Sequence, residues 1–150
     1  MFKFRNILVP TDFSDQFQVS LSYAKELANS MGAQLHIIHV SEHAVYPADL
    51  GITQASFIDF DMEINKSSLA QLDSLKLELA EDKIDVIVEV RTGRASEQII
   101  DYAFKNDIDL ICIATQGRSG IEHFLFGSTT EKVLRKAPCP VLVVRDRRNN

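Results

Sequence analysis

The sequence predicts a doubly wound α/β fold: a five-stranded parallel sheet in the order 3-2-1-4-5, with four main helices distributed over its two faces. Two observations lead there. Short apolar runs and longer stretches of helical periodicity alternate along the chain, in the order β-α-β-α-β-α-β-α-β. Alternation of this kind is the pattern of a parallel sheet with helices on both faces, joined by right-handed crossovers. No internal repeat, low-complexity segment or linker interrupts it, so residues 1–150 are expected to form a single domain.

The elements follow in order. FRNILVP, residues 4–10, is a short apolar run ended by proline and reads as a buried strand. In SDQFQVSLSYAKELANSMG, residues 14–32, Phe17, Leu21, Ala24 and Ala28 recur at spacings of three and four, which is one face of a helix; Leu27 and Met31 widen it. Ser14 is suited to cap its start and Gly32 to end it. QLHIIHV, residues 34–40, is the second strand. Residues 41–60 show no clear period and contain Pro47 and Gly51, so they are expected to be a long loop with at most a helical turn, of the length that usually serves function. Residues 61–83 form the second helix, with Ile64, Leu69, Leu72, Leu75 and Leu79 as its apolar positions. IDVIVEV (84–90) is the third strand, SEQIIDYAFKND (96–107) the third helix and IDLICIAT (108–115) a strongly buried fourth strand. STTEKVLRK (128–136) is a short fourth helix in which Ser128, with Glu131 three residues on, makes a capping box. Pro138 stops it, and PVLVVR (140–145) is the last strand.

Composition narrows the function. With 45% hydrophobic and 25% charged residues the chain has a globular balance. A formal net charge of −5 argues against nucleic acid as the main partner, whose footprint is usually a basic face. The cluster Arg145, Arg147 and Arg148 reads as a solvated tail. No apolar run approaches the ~18 residues of a membrane-spanning helix, and the N-terminal stretch lacks the apolar core of a signal peptide. A cytoplasmic protein without membrane contact is expected. Cys112 and Cys139 occupy neither a CxxC pair nor zinc spacing, and read as reduced thiols, Cys112 inside the core.

In an open doubly wound sheet, ligands bind beyond the carboxyl ends of the strands, where the strand order reverses. Here that point lies between the first and fourth strands, and the loops are PTDFS (10–14) and TQGRSG (115–120). Asp12 has two roles open to it, accepting hydrogen bonds from a ribose or amine, or capping the first helix. Gly117, Gly120 and Gly127 let backbone turn tightly and approach a phosphate, or serve loop geometry alone. The start of the fourth helix favours an anion through its unpaired N–H groups, with the hydroxyls of Ser128, Thr129 and Thr130 beside it. Arg118 reaches either phosphate or water. The stretch is not a Walker A sequence, nor does GxGxxG follow the first strand.

A catalytic constellation is not evident. His36 and His39 stand three apart on a strand and face opposite sides, so with His43 and His123 they read as ordinary histidines. Nucleophile-elbow, HExxH and EF-hand patterns are absent from the sequence. At most, Asp12 with a Mg²⁺ ion would support slow ATP hydrolysis. The acidic cluster and lysine of a phosphoreceiver domain are missing.

The stretches ILVPTDFS, YAKELA, GAQLHIIHV, IDLICIATQGRSG and FLFGSTTEKVLRKAPCPVLVVR together resemble the universal stress protein family over nearly the whole length. That resemblance implies a Rossmann-like fold, a homodimer paired through residues 140–145, and, in one branch, binding of an adenine nucleotide, ATP or AMP, with or without Mg²⁺. The branch carries G-x2-G-x9-G-[ST]. Gly117, Gly127 and Ser128 match it; Ala114 stands where the pattern has glycine, and Gly120 lies outside it. Carried over, Pro10, Thr11, Asp12 and Val40 would hold adenine and ribose, and Gly117, Gly127, Ser128, Thr129 and Thr130 the phosphates, with Ala114 beside them. The implied role is a stress-response regulator. Two other readings stand beside it: a nucleotide-independent dimeric interaction protein whose site Ala114 has closed, and a weak ATPase.

Overall fold

The computed structural model describes residues 3–42, 54–116 and 126–146. Five parallel strands, β1 (Asn6–Thr11), β2 (Gln34–Ser41), β3 (Val86–Thr92), β4 (Leu110–Ala114) and β5 (Val141–Val144), form one sheet in the order β3-β2-β1-β4-β5. Four helices connect them: α1 (Asp15–Met31), α2 (Gln54–Glu81), α3 (Ala95–Lys105) and α4 (Ser128–Lys136). This is the doubly wound, Rossmann-like arrangement that the alternation of elements predicts.

Two apolar cores sandwich the sheet. On one face Ile7, Val9, Leu35, Ile37 and Cys112 pack against Phe17, Leu21, Ala24 and Ala28 of α1 and Leu72 and Leu79 of α2. On the other, Leu8, Ile38, Ile111 and Ile113 pack against Ile99, Tyr102 and Ala103 of α3 and Val133 of α4. Successive strand residues point to opposite faces, so buried runs such as Ile7-Leu8-Val9 supply both cores at once. The α1 face and caps stand as the periodicity predicts. Ser14 accepts a hydrogen bond from the Phe17 amide, and Gly32 adopts the left-handed conformation (φ 64°) that a residue with a Cβ reaches only with strain.

Three expectations need correction. The stretch 41–60 is not loop throughout, because α2 already begins at Gln54. Its first turns leave Ile58, Phe60 and Met62 more than half exposed, and a helix that buries no single stripe there has no period to read. For the same reason Ile64 (37% exposed) and Leu69 (44%) are not core positions, whereas Leu72 and Leu79 are fully buried. Finally, Ser128 does not cap α4. The N-cap is Gly127, no side chain among the described residues caps it, and Glu131 instead pairs with Arg135 at 2.9 Å. The helix starts one residue before the capping-box reading, which makes Ser128 its first helical residue.

The middle of the sheet is unevenly joined. β1 registers with β2 along six residues, from Asn6↔Gln34 to Thr11↔His39, but with β4 along only two, Ile7↔Leu110 and Leu8↔Ile111. At the amino end the Asp109 carboxylate accepts from the amides of Arg5 (2.7 Å) and Asn6 (2.9 Å) and holds the two strands together. Beyond Leu8 comes Pro10, which has no N–H to give a neighbour. From there β1 and β4 part.

Candidate functional site

The parting of β1 and β4 opens a cavity of about 250 Å³ at the carboxyl edge of the sheet. Pro10, Thr11 and Asp12 line it from the end of β1, Val40 from β2, Ala114 from the end of β4, and Gly127, Ser128, Thr129 and Thr130 from the start of α4. Of the ten residues that the sequence singles out, these nine share one hollow. Gly117 lies outside the described residues, as do Arg118, Gly120, His43, His123, Pro47, Gly51, Arg147 and Arg148.

Each rim is braced by short bonds. The Asp12 carboxylate accepts from the Ser14 amide (3.0 Å) and the Ser14 hydroxyl (2.5 Å), and the Thr11 hydroxyl accepts from the Phe13 amide (2.9 Å). These bonds wind the loop so tightly that Phe13 takes a left-handed φ of 59°, at a cost of roughly 1–2 kcal/mol for a residue with a Cβ. Across the cavity the Gly127 amide donates to the Thr115 carbonyl (2.8 Å), and the Thr130 hydroxyl to the Ala114 carbonyl (2.9 Å). The start of α4 is thereby fastened to the end of β4.

Two residues change meaning in this frame. Ala114 is an ordinary strand residue, registered with Val144 and outside the left-handed region, so its methyl group imposes no backbone strain. Gly127 does not make a sharp turn either. Its φ of −68° and ψ of 159° suit any residue, and an added Cβ would lie 3.7 Å from the Thr115 carbonyl oxygen, an ordinary contact. Neither the turn nor the packing requires glycine at 127.

The interior of the cavity is apolar, and the sequence reading missed it. Ile38, Ile99 and Ile113 face the hollow together with Phe17, Ala95 and Gln116. Ile38 stands two residues before Val40, hence on the same side of β2, and Ala95 and Ile99 are four apart on α3; period and register would have found them.

Behind this wall sits a polar group. His36, 4% exposed, lies two residues before Ile38, and its Nδ1 is 2.9 Å from the Tyr102 hydroxyl, while Nε2 has no partner among the described residues. Burial holds the His36 pKa below its ordinary value, with Asp85 opposing weakly, and burial pushes the Tyr102 phenol up to about 12. Arg91 lies 5.7 Å from the Tyr102 ring centroid and pairs with Asp101 at 3.0 Å. Hydrogen bonds from Lys105 and Arg91 hold the Asp101 carboxyl below its usual range. No group of three metal-ligating side chains occurs among the described residues, and Asp12 is the carboxylate at the cavity rim. None of the described helices is long and apolar enough to cross a membrane.

A chain with this sheet order and this hollow at its switch point has clear relatives. The universal stress protein family matches residues 3–145. Universal stress protein YxiE of Bacillus subtilis is 32% identical over 147 residues, covering 95% of this chain and 99% of that protein. Universal stress protein UspA of Lactobacillus plantarum shares the fold with a TM-score of 0.81 at 27% identity, over 97% of this chain and all of that one. The universal stress protein of Archaeoglobus fulgidus, solved in complex with dAMP, shares it at 20% identity with a TM-score of 0.60, over 95% of this chain and 98% of that one. The chain belongs to the universal stress protein family.

Proposed function

We propose that the protein binds an adenine nucleotide, ATP or AMP, in the cavity between β1 and β4, and serves as a dimeric cytoplasmic regulator of the stress response. The observation that carries this reading is the convergence of three kinds of wall on one hollow. Pro10 and Val40, partly exposed, offer apolar surface to a flat base above a floor of the buried Ile38, Ile99 and Ile113. Asp12 offers a carboxylate to ribose hydroxyls, and Val40 its backbone to the base edge. Among the described residues no side chain caps the start of α4, and its first amides would donate to phosphate oxygens, with Ser128 and Thr129 beside them. In this reading Gly117 completes the phosphate side. A Mg²⁺ ion would arrive on the phosphates, which with Asp12 would supply ligands of the kind this ion prefers.

That a relative is solved with dAMP supports the ligand class. The dimer would form through residues 140–145, since β5 is an edge strand of four residues, of which Val141, Leu142 and Val143 are only partly covered and Val144 is buried. Native mass spectrometry of freshly purified protein tests both parts together. A mass of two chains carrying one adenine nucleotide each is the expected result. A bare monomer that also takes up no ATP at millimolar concentration in calorimetry would sink the reading.

A further inference from the structure

We propose that His39 is a positioning residue for this site: from the opposite face of the sheet it holds the turn that carries Asp12 and ties it to the strand that carries Val40. The ligand named in the test rests on the nucleotide reading; the tie itself does not.

His39 sits on β2 immediately before Val40, so its side chain leaves the sheet on the other face, with Leu35 and Ile37. Its Nδ1 lies 2.9 Å from the carbonyl oxygen of Thr11. A carbonyl only accepts, so Nδ1 carries the hydrogen, and it does so whether or not the ring is also protonated at Nε2. Thr11 is the last residue of β1 before the chain leaves the sheet. The bond therefore fixes the point from which Asp12 is hung.

The same ring has a second hold. Its centroid is 4.7 Å from that of Phe13, tilted by 35°. Phe13 is the left-handed residue of the turn (φ 59°), a conformation a bulky side chain keeps only when its surroundings enforce it. The Phe13 amide is bonded to the Thr11 hydroxyl, and the next amide, of Ser14, to the Asp12 carboxylate. His39 thus grips both sides of Asp12, residue 11 by a hydrogen bond and residue 13 by ring contact. Mere filling of the space would need only an apolar side chain; the directed N–H is what a positioning role requires.

The test uses the full chain and two readouts: amide hydrogen exchange of Phe13 and Ser14 in the ligand-free protein, and ATP affinity by calorimetry. His39→Phe keeps a ring beside Phe13 and removes the N–H. It should speed exchange at both amides about tenfold and weaken ATP binding about tenfold, the size of one lost hydrogen bond. His39→Asn puts an N–H back at the same distance from Cβ and should return both values to within about threefold of the parent. His39→Gln, whose amide reaches one bond further, should behave like His39→Phe and replaces it if that variant does not fold. Exchange unchanged in His39→Phe, or His39→Asn no better than His39→Gln, overturns the proposal. If the parent protein takes up no ATP, the exchange measurements alone decide: acceleration reversed by Asn upholds the tie and discards the nucleotide, and no acceleration discards the tie.

Discussion

The Thr130 hydroxyl donates to the Ala114 carbonyl across 2.9 Å, fastening the first turn of α4 to the last residue of β4. Thr130 is 4% exposed, and its bond to Ala114 at the cavity rim is partly buried. Thr130→Val keeps the shape and deletes the donor. It should cost about 1 kcal/mol in urea unfolding and weaken ATP binding, because the amides of α4 lose their anchor. Unaltered stability would show that the bond is replaced by water.

Gly127→Ala separates folding from ligand approach. The backbone there suits alanine, and the new Cβ meets only ordinary contacts. Stability should be unchanged or raised by ~0.4–1 kcal/mol, the usual gain from restricting the unfolded chain. If the nucleotide binds as proposed, ATP affinity should fall about tenfold, since Gly127 lines the cavity and a side chain there takes up room beside the phosphates. Full affinity in this variant would place the phosphates elsewhere.

His36 gives stability a pH dependence of definite sign. Burial lowers its folded pKa, so between that value and the unfolded one, about 6.5, the unfolded chain binds more protons than the folded one. The stabilisation is therefore complete above that pH and is lost as the pH falls below it. The melting temperature should drop on acidification below pH ~6.5 more steeply in the parent than in His36→Phe. Parallel curves for the two proteins would contradict this.

Leu72 and Leu69 test where α2 meets the core. Leu72 is fully buried and Leu69 is 44% exposed, though both carry the same side chain on the same helix. Leu72→Ala should cost ~2–5 kcal/mol, and Leu69→Ala less than ~1 kcal/mol. Equal losses would mean that Leu69 is covered in solution, for instance by a second protein.

Where side chains announce themselves by period, the fold was legible. Phe17, Leu21, Ala24 and Ala28 mark α1, and the apolar runs mark all five strands. The start of α2 was not, because Ile58, Phe60 and Met62 bury no common stripe, and an exposed helix leaves no periodic trace. The site was legible in its polar rim, since Asp12, Ser128, Thr129 and Thr130 stand next to strand and helix ends. Its apolar wall was not. Ile38, Ile99 and Ile113 look like any core residues, and they are buried ones; only the parting of β1 and β4 sets a hollow beside them. From sequence His39 is an ordinary strand histidine, because its partner, the Thr11 carbonyl, has no signature there.

The seam between β1 and β4 has a consequence in time as well as in space. Thr11 and His39, which join β1 to β2, are 28 residues apart along the chain, whereas Asn6 and Asp109, which join β1 to β4, are 103 apart. Closing the longer loop costs more chain entropy, and contacts of such separation slow folding. Pairing β1 with β2 therefore closes the shorter loop, and the cavity exists only once the far half of the chain has come back to dock. A nascent chain halted before Asp109 carries Asp12 and Val40 but has no hollow to place them in.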